Sequence, residues 1–536
     1  MNAASDIQNA RVPSRNAYLY VCVFVSGMVT LAIELSASRL LGSVFGTSNL
    51  VWANVIGLML LYLTVGYFIG GRWADRSPRY ETFFNIMVWG AFLSAFIPLL
   101  SRPVLRAAGT AVVGAEAALA IGSFVSVLVL FAIPVTLLGC ISPFAIRLAI
   151  NNTEDAGRIS GQIYAISTLG SLLGTFLPVL ILIPTIGTFR TFILFAAVLY
   201  VIATLGLFRY AGMRKAVRWA WMPVLITLLS LWALNGPFRS PTGDSVILFE
   251  GESGYNFIQV QENPNGYREL MLNEGLGVHS RWHATDYKYD GTWDLFLAAP
   301  YFNGPPFGMS DVHRLLVIGL AAGTIPRQYT HVYGDVPIDG VEIDPIIVDV
   351  GATYFDMNSE EIPNLNVFVE DGRYVLNRLD EKYTVVAIDA YRPPYIPWHL
   401  TTVEFFQELA ELLEPNGVVA INVGRTTKDR RLVDAMARTM LAVFPTVHAI
   451  DVPRSFNTIL VATRLPTTPD NLIRNRANLN ASTPELLQYA LDTSIQSLVP
   501  TTPGQIVFTD DRAAVEQIVD SLTLNFLLNG EMEDIR

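Results

Sequence analysis

Three acidic positions recur in one stretch of this chain, each at the end of a run that reads as a strand. Glu342 ends the run IDGVE, Asp371 follows a run ending at Glu370, and Asp389 closes YTVVAID. Before them, directly after HRLLVI, stands the small-residue turn Gly319-Leu320-Ala321-Ala322-Gly323-Thr324. Such a turn lets backbone approach a ligand closely, and an acid at the tip of the next strand can hold ribose hydroxyls. Acids at successive strand tips would line one edge of a parallel sheet, where ligands of such sheets bind. The pattern predicts a nucleoside pocket built on Gly319, Gly323, Glu342 and Asp371. No metal centre is predicted. His279 and His283 have no third ligand at metal spacing, and the two cysteines, Cys22 and Cys140, lie in apolar runs.

The elements that must position these residues alternate along the second half of the chain. Strand-like runs near 315–319, 338–343, 365–369, 384–389, 418–423, 447–452 and 458–463 are separated by helical stretches, the pattern of a doubly wound, Rossmann-like α/β domain of methyltransferase type. Upstream, alternating apolar and polar residues flank Asn263-Pro264-Asn265-Gly266, which predicts a β-hairpin region. Two amphipathic stretches near 484–498 and 511–527 close the chain. In the second, Asp510 is expected to cap a helix start.

The first half is of another kind. The 536 residues are 51% hydrophobic with a mean hydropathy of +0.39, too apolar for an ordinary soluble protein. Residues 1–236 hold 15 Lys/Arg and 7 Asp/Glu, net +8; since the whole chain carries −11, residues 237–536 carry −19. An acidic domain of that kind repels nucleic acid and favours cationic small molecules. Seven apolar runs, at roughly 17–41, 50–71, 82–101, 115–141, 160–185, 189–208 and 217–235, are long enough to cross a bilayer. The expected division is thus a transmembrane domain of about seven helices over 1–236, a β-strand part over 237–310 and a Rossmann-like nucleoside-binding domain over 311–536. Glu34 lies inside the first span with Arg39 near its end, and charges at that depth are functional candidates or internal ion pairs.

In order, the motifs of the second half resemble the spermidine synthase family of aminopropyltransferases. Tyr255-Asn256-Phe257-Ile258-Gln259-Val260 and LMLNEGLGVHS are similar to the family's opening strands. The segment from Gly319 to Arg327 is similar to its glycine loop. Glu342 matches the ribose-binding acid, Asp371 the acid beside the adenine amino group and Asp389 the first aspartate of the catalytic loop. Helices ahead of such a domain resemble the membrane-fused, spermidine synthase-like subfamily. The segment beginning Thr509-Asp510-Asp511-Arg512 also resembles a C-terminal motif of that group.

The resemblance implies a transferase with no bound cofactor. S-adenosylmethionine or its decarboxylated form would be the donor substrate, a small amine or polyamine-like molecule the acceptor, and Asp389 the residue that orients or deprotonates the amine. Asn256, Asp294, Tyr391 and Arg392 are then candidates for the acceptor pocket. Two departures bear on this. Ala322 stands where the family has the aspartate that holds the donor's amine, and Arg392 stands where it has a second loop aspartate. Both remove carboxylates that attract amines. An S-adenosylmethionine-dependent methyltransferase, or a nucleoside- or polyamine-sensing transporter without turnover, are the alternative readings. The lipid bilayer is the expected partner, nucleic acid is not, and association between copies of the chain is left open. Loop arginines place the N-terminus in the cytoplasm of a multi-pass protein of the cell (inner) membrane. Seven spans would put the acidic half outside, whereas the implied donor is made inside; the expectation adopted is a cytoplasmic soluble half.

Overall fold

The computed structural model describes residues 14–45, 49–110, 116–150, 152–233, 237, 239–273, 277–390, 396–480 and 482–528. It divides into two compact units, Met1–Val113 with Ala118–Ser240, and Gly114–Ala117 with Pro241–Arg536.

The first unit is helical, the form in which a long apolar segment satisfies its own backbone hydrogen bonds. Its helices are α1 (Ser14–Phe45), α2 (Asn49–Arg76), α3 (Tyr80–Thr110), α4 (Glu116–Gly139), α5 (Ile141–Ala149), α6 (Ala156–Leu177), α7 (Ile183–Ala211), α8 (Met213–Val217) and α9 (Trp221–Ala233). Among the described residues, five stretches are long and apolar enough to cross a membrane: Ala17–Gly42, Val51–Arg76, Tyr80–Leu105, Ile121–Ala149 and Ala156–Ala211. The last is 56 residues long and turns back on itself at Gly187, whose φ of 81° and ψ of 163° are not helical. Its first leg, α6, lies against α1: a Cβ on Gly170 or Gly174 would stand 2.0 Å from the carbonyl oxygens of Phe24 and Met28. Its second leg, α7, returns to the start of α1, where the Tyr18 hydroxyl donates to the Ile202 carbonyl (2.6 Å), and to the start of α3, where Tyr80 stacks on Tyr210 at 4.6 Å. The segment expected as a seventh span holds α9, whose 13 described residues rise about 20 Å; residues 234–236 lie outside the described residues. Glu34 and Arg39 both lie on α1, half-buried.

The second unit holds two sheets. Strands β1 (Val246–Glu252), β2 (Phe257–Glu262), β3 (Arg268–Leu272) and β4 (Val278–Trp282) form an antiparallel meander, so the expected hairpin is the middle of a four-stranded sheet. The second sheet contains β5 (Leu315–Ile318), β6 (Ile338–Glu342), β7 (Leu365–Val369), β8 (Tyr383–Ile388), β9 (Leu413–Gly424), β10 (Thr446–Asp451), β11 (Asn457–Thr463) and β12 (Leu498–Val499), in the order β12-β10-β11-β9-β8-β5-β6-β7. Its strands β9, β8, β5, β6 and β7 run parallel. They are crossed by α10 (Thr292–Phe296), α11 (Thr324–Tyr333), α12 (Pro345–Tyr354), α13 (Gly372–Leu376), α14 (Val403–Leu412), α15 (Arg431–Met440), α16 (Pro469–Asn478), α17 (Glu485–Gln496) and α18 (Val515–Leu528), each between or after strands. β5 and β8 are buried throughout, as strands covered on both faces must be. Strand order reverses between β5 and β8, which makes the crevice at their carboxyl ends the place where this fold binds ligands.

Candidate active site at the β5–β8 crevice

Strand register brings the nominated residues together. Ile318 of β5 pairs with Val341 of β6 and with Ile388 of β8, so Gly319, Glu342 and Asp389 leave three adjacent strands at one level. Gly319 has φ 86°, and a Cβ there would stand 2.4 Å from the Ala390 nitrogen, so only glycine permits this closeness of β5 to β8. Gly323 (φ 84°) is the N-cap of α11. Between them Ala321 holds φ 48°, an unfavourable conformation for a residue with a side chain. Its N–H donates to Glu342 Oε2 at 2.9 Å, and that bond fixes the turn.

Glu342 is buried at 8% exposure and also accepts the Asp344 N–H through Oε1 (3.1 Å). Burial pushes its carboxyl up to about 7, against the pull of those two N–H donors. Asp371 caps α13, accepting the Arg373 and Tyr374 N–H groups through Oδ1 (3.0 and 3.1 Å), while Oδ2 faces His399 Nε2 at 2.9 Å. One acid thus serves both a helix start and the pocket edge.

Asp389 is gripped on both oxygens. Asn422 Nδ2 donates to Oδ1 (2.9 Å) and Trp293 Nε1 donates to Oδ2 (3.1 Å). Asn457 Nδ2 donates in turn to Asn422 Oδ1 (2.8 Å), which settles the orientation of the Asn422 amide. Desolvation raises Asp389 to about 7, and the Asn422 and Trp293 donors oppose the rise. Two enclosed acids near neutrality beside a glycine turn make this crevice the candidate reacting centre.

The other candidates divide. Asn256 donates to Asp344 Oδ2 (2.8 Å) and accepts from Asn273 (2.8 Å), which ties the turn before β2 to the strand tip that carries Glu342. Asp294 is fully buried and turns away from Asp389. It accepts the N–H groups of Tyr289 and Gly291 and an amide hydrogen of Gln328, and burial raises its carboxyl to about 6. Its neighbour Trp293 makes the contact instead, since one step along a helix rotates a side chain by about 100°. Tyr391 and Arg392 lie outside the described residues. Ala322 donates its N–H to the Ser280 hydroxyl of β4 (2.9 Å), which pins the glycine turn to the small sheet.

Sequence reasoning missed Trp293, His399 and the place of Asp510. Asp510 is not a helix cap. It accepts from Arg373 at 2.7 and 2.8 Å and from the Thr402 hydroxyl at 2.7 Å, so it braces the turn headed by Asp371. The only advance signal was the adjacency of Trp293 to Asp294; His399 reaches Asp371 across 28 positions, and the Asp510 contacts join residues more than a hundred positions apart.

A parallel sheet with acids at adjacent strand tips, a glycine turn at the reversal of strand order and a small antiparallel sheet pinned to that turn make up a Rossmann-like α/β unit of methyltransferase type. Residues 308–462 match the model of the spermine/spermidine synthase domain. That part of the chain is thus similar to the spermine/spermidine synthase domain, and apolar helices lie ahead of it in the sequence. It is 32% identical over 219 residues to a probable polyamine aminopropyl transferase of Bifidobacterium longum, covering 40% of this chain and 47% of that one. It is 29% identical over 258 residues to the polyamine aminopropyltransferase of Vibrio vulnificus, covering 46% of this chain and 81% of that one. The match thus spans about half the length of the first relative. Among solved structures, a probable spermidine synthase from Corynebacterium glutamicum superposes with a TM-score of 0.37 at 19% identity, over 48% of this chain and 95% of the other.

Proposed function

We propose that this chain is a membrane-anchored transferase that moves an alkyl group from an S-adenosylmethionine-type sulfonium donor to an amine. The observation that carries the reading is Asp389, held by Trp293 and Asn422 at the strand tip that touches the glycine turn. A sulfonium carbon is already activated, so the protein needs chiefly to align the acceptor nitrogen and take up its proton. Glu342 would hold the ribose and Asp371 would border the base. The decarboxylated donor is the family's and is the first candidate. Putrescine is expected to be a poor acceptor, because Ala322 and Arg392 replace amine-attracting carboxylates. Restoring them with Ala322→Asp and Arg392→Asp should raise spermidine formation, and rapid spermidine formation by the unaltered protein would overturn this point.

Methyl transfer is the second reading, favoured by one observation: nothing at Ala322 opposes a carboxylate on the donor. The nucleoside product separates the two. Aminopropyl transfer releases methylthioadenosine and methyl transfer releases S-adenosylhomocysteine, so mass spectrometry of turnover mixtures decides. Neither product under saturating donor and a broad amine panel would leave a binding protein and sink both readings.

The soluble half is proposed to face the side on which the N-terminus lies. This reading takes the candidate spans up to Ala211 as six passes, with the reversal at Gly187 counted, and takes α9 as not crossing.

A further inference from the structure

Arg327 carries a charge that the described fold leaves without a counter-ion. It lies on the second turn of α11 and is 8% exposed. Its Nη1 is enclosed without a partner, and its side chain makes no hydrogen bond or ion pair with any described residue. What it touches is aromatic: its guanidinium carbon is 5.0 Å from the ring centres of both Trp282 and Tyr287. Two more enclosed side-chain atoms have no partner, the donor Trp282 Nε1 and the acceptor Gln328 Oε1, while the Tyr289 hydroxyl lies against the His283 backbone N–H and keeps its own hydrogen to donate; all three residues are at least nine-tenths buried. The acid nearest in the bonding network, Asp294, is already engaged by Tyr289, Gly291 and Gln328. His331, stacked on Tyr287 at 3.9 Å, is held below its usual value, by burial first and then by Arg327.

A buried cation with neighbouring N–H and O–H donors and so little to accept from them is strongly unfavourable alone. A carboxylate would complete it, because two coplanar oxygens fit the guanidinium fork and accept from the neighbouring donors. The patch is continuous with the reacting centre. Trp293 donates to Asp389, its ring meets Tyr289 edge-on at 6.3 Å, and Tyr289 lies within the field of Arg327. We propose that Arg327, Trp282 and Tyr289 form a subsite for the carboxylate of a small-molecule substrate bound beside Asp389. Only its role beside Asp389 rests on the transferase reading. The substrate class is then amino-acid-like, the carboxylate belonging either to the donor or to the acceptor.

Calorimetry on the full chain in detergent micelles tests this with two pairs that differ by one carboxylate: S-adenosylmethionine against its decarboxylated form, and ornithine against putrescine. In one pair the carboxylate-bearing member should bind at least about tenfold more tightly, the size of one charge-assisted contact. Preference within the first pair assigns the carboxylate to the donor, and preference within the second assigns it to the acceptor. Arg327→Met should erase the preference and leave methylthioadenosine affinity unchanged. It should also raise the ligand-free melting midpoint by a few degrees, since an unpaired buried charge is gone. Should the midpoint fall instead, Arg327→Lys decides: the charge stays, the fork is lost, and the preference should drop several-fold. Equal binding within both pairs, or a preference that survives Arg327→Met or Arg327→Lys, overturns the subsite. Failure of methylthioadenosine to bind would count against the nucleoside site alone, because the ornithine and putrescine arm needs no nucleoside.

Discussion

At the scale of single residues, the site rests on two carboxyls that ordinary solvent would leave ionised. Glu342 and Asp389 are both pushed up to about 7 by enclosure, and each must be ionised to accept a hydrogen. The sign follows directly. As pH falls through about 7 both groups take up protons, so nucleoside affinity and turnover should decline together toward pH 6 and plateau above pH 8. Glu342→Gln should flatten the pH dependence of methylthioadenosine affinity and weaken binding by about 1–3 kcal/mol, the worth of a charge-assisted hydrogen bond. Unchanged affinity at pH 8 in that variant would remove Glu342 from the site. Asp389→Asn should leave the melting midpoint and methylthioadenosine binding close to those of the parent while turnover falls by roughly 10²-fold or more. Full turnover in the variant would take Asp389 out of the mechanism.

At the scale of elements, local chemistry sets most boundaries and close backbone approach sets the packing. Asp344, Asp371 and Thr402 each accept an N–H at the start of the helix that follows, so α12, α13 and α14 begin where the sequence supplies a cap. In the membrane unit, α1 and α6 meet through Gly27, Gly170 and Gly174, where any side chain would strike backbone. Gly174→Leu should therefore separate the two helices and lower the melting midpoint in micelles by several degrees, read by fluorescence-detected size exclusion. An unaltered midpoint would mean that this contact does not hold the bundle. Gly57, around which a Cβ would meet nothing within 4 Å, is the matched control, and Gly57→Leu should be tolerated.

At the scale of the whole molecule, the proposal to test is that the apolar helices cross a membrane and leave the second unit on the side of the N-terminus. On the proposed reading, six passes without a seventh at α9 would return the chain to the side of its N-terminus, and loop arginines would assign that side to the cytoplasm. A cytoplasm-dependent reporter fused after Arg536 should be active and an export-dependent one silent. The reverse pattern would make α9 a true seventh crossing. It would also require the membrane unit to deliver a substrate across the bilayer, with Glu34 and Arg39 the first residues to change.

The parallel order of strands, the glycine turn and the acids Glu342, Asp371 and Asp389 were legible in the chain itself. They depend on short-range pattern: strand period, turn composition and the acid that ends each strand. The split into an apolar basic half and an acidic half was legible for the same reason, since composition is local. The reversal at Gly187 was not, because a glycine within an apolar run reads as one of many until the second leg is seen to pack on α1 and α3. Nor was the grip of Trp293 and Asn422 on Asp389, which joins residues 96 and 33 positions away. The same holds for the bracing of Arg373 by Asp510 and the unpaired charge of Arg327. Those depend on which side chains the folded sheets bring face to face and on how much water they exclude, and both are properties of the tertiary structure alone.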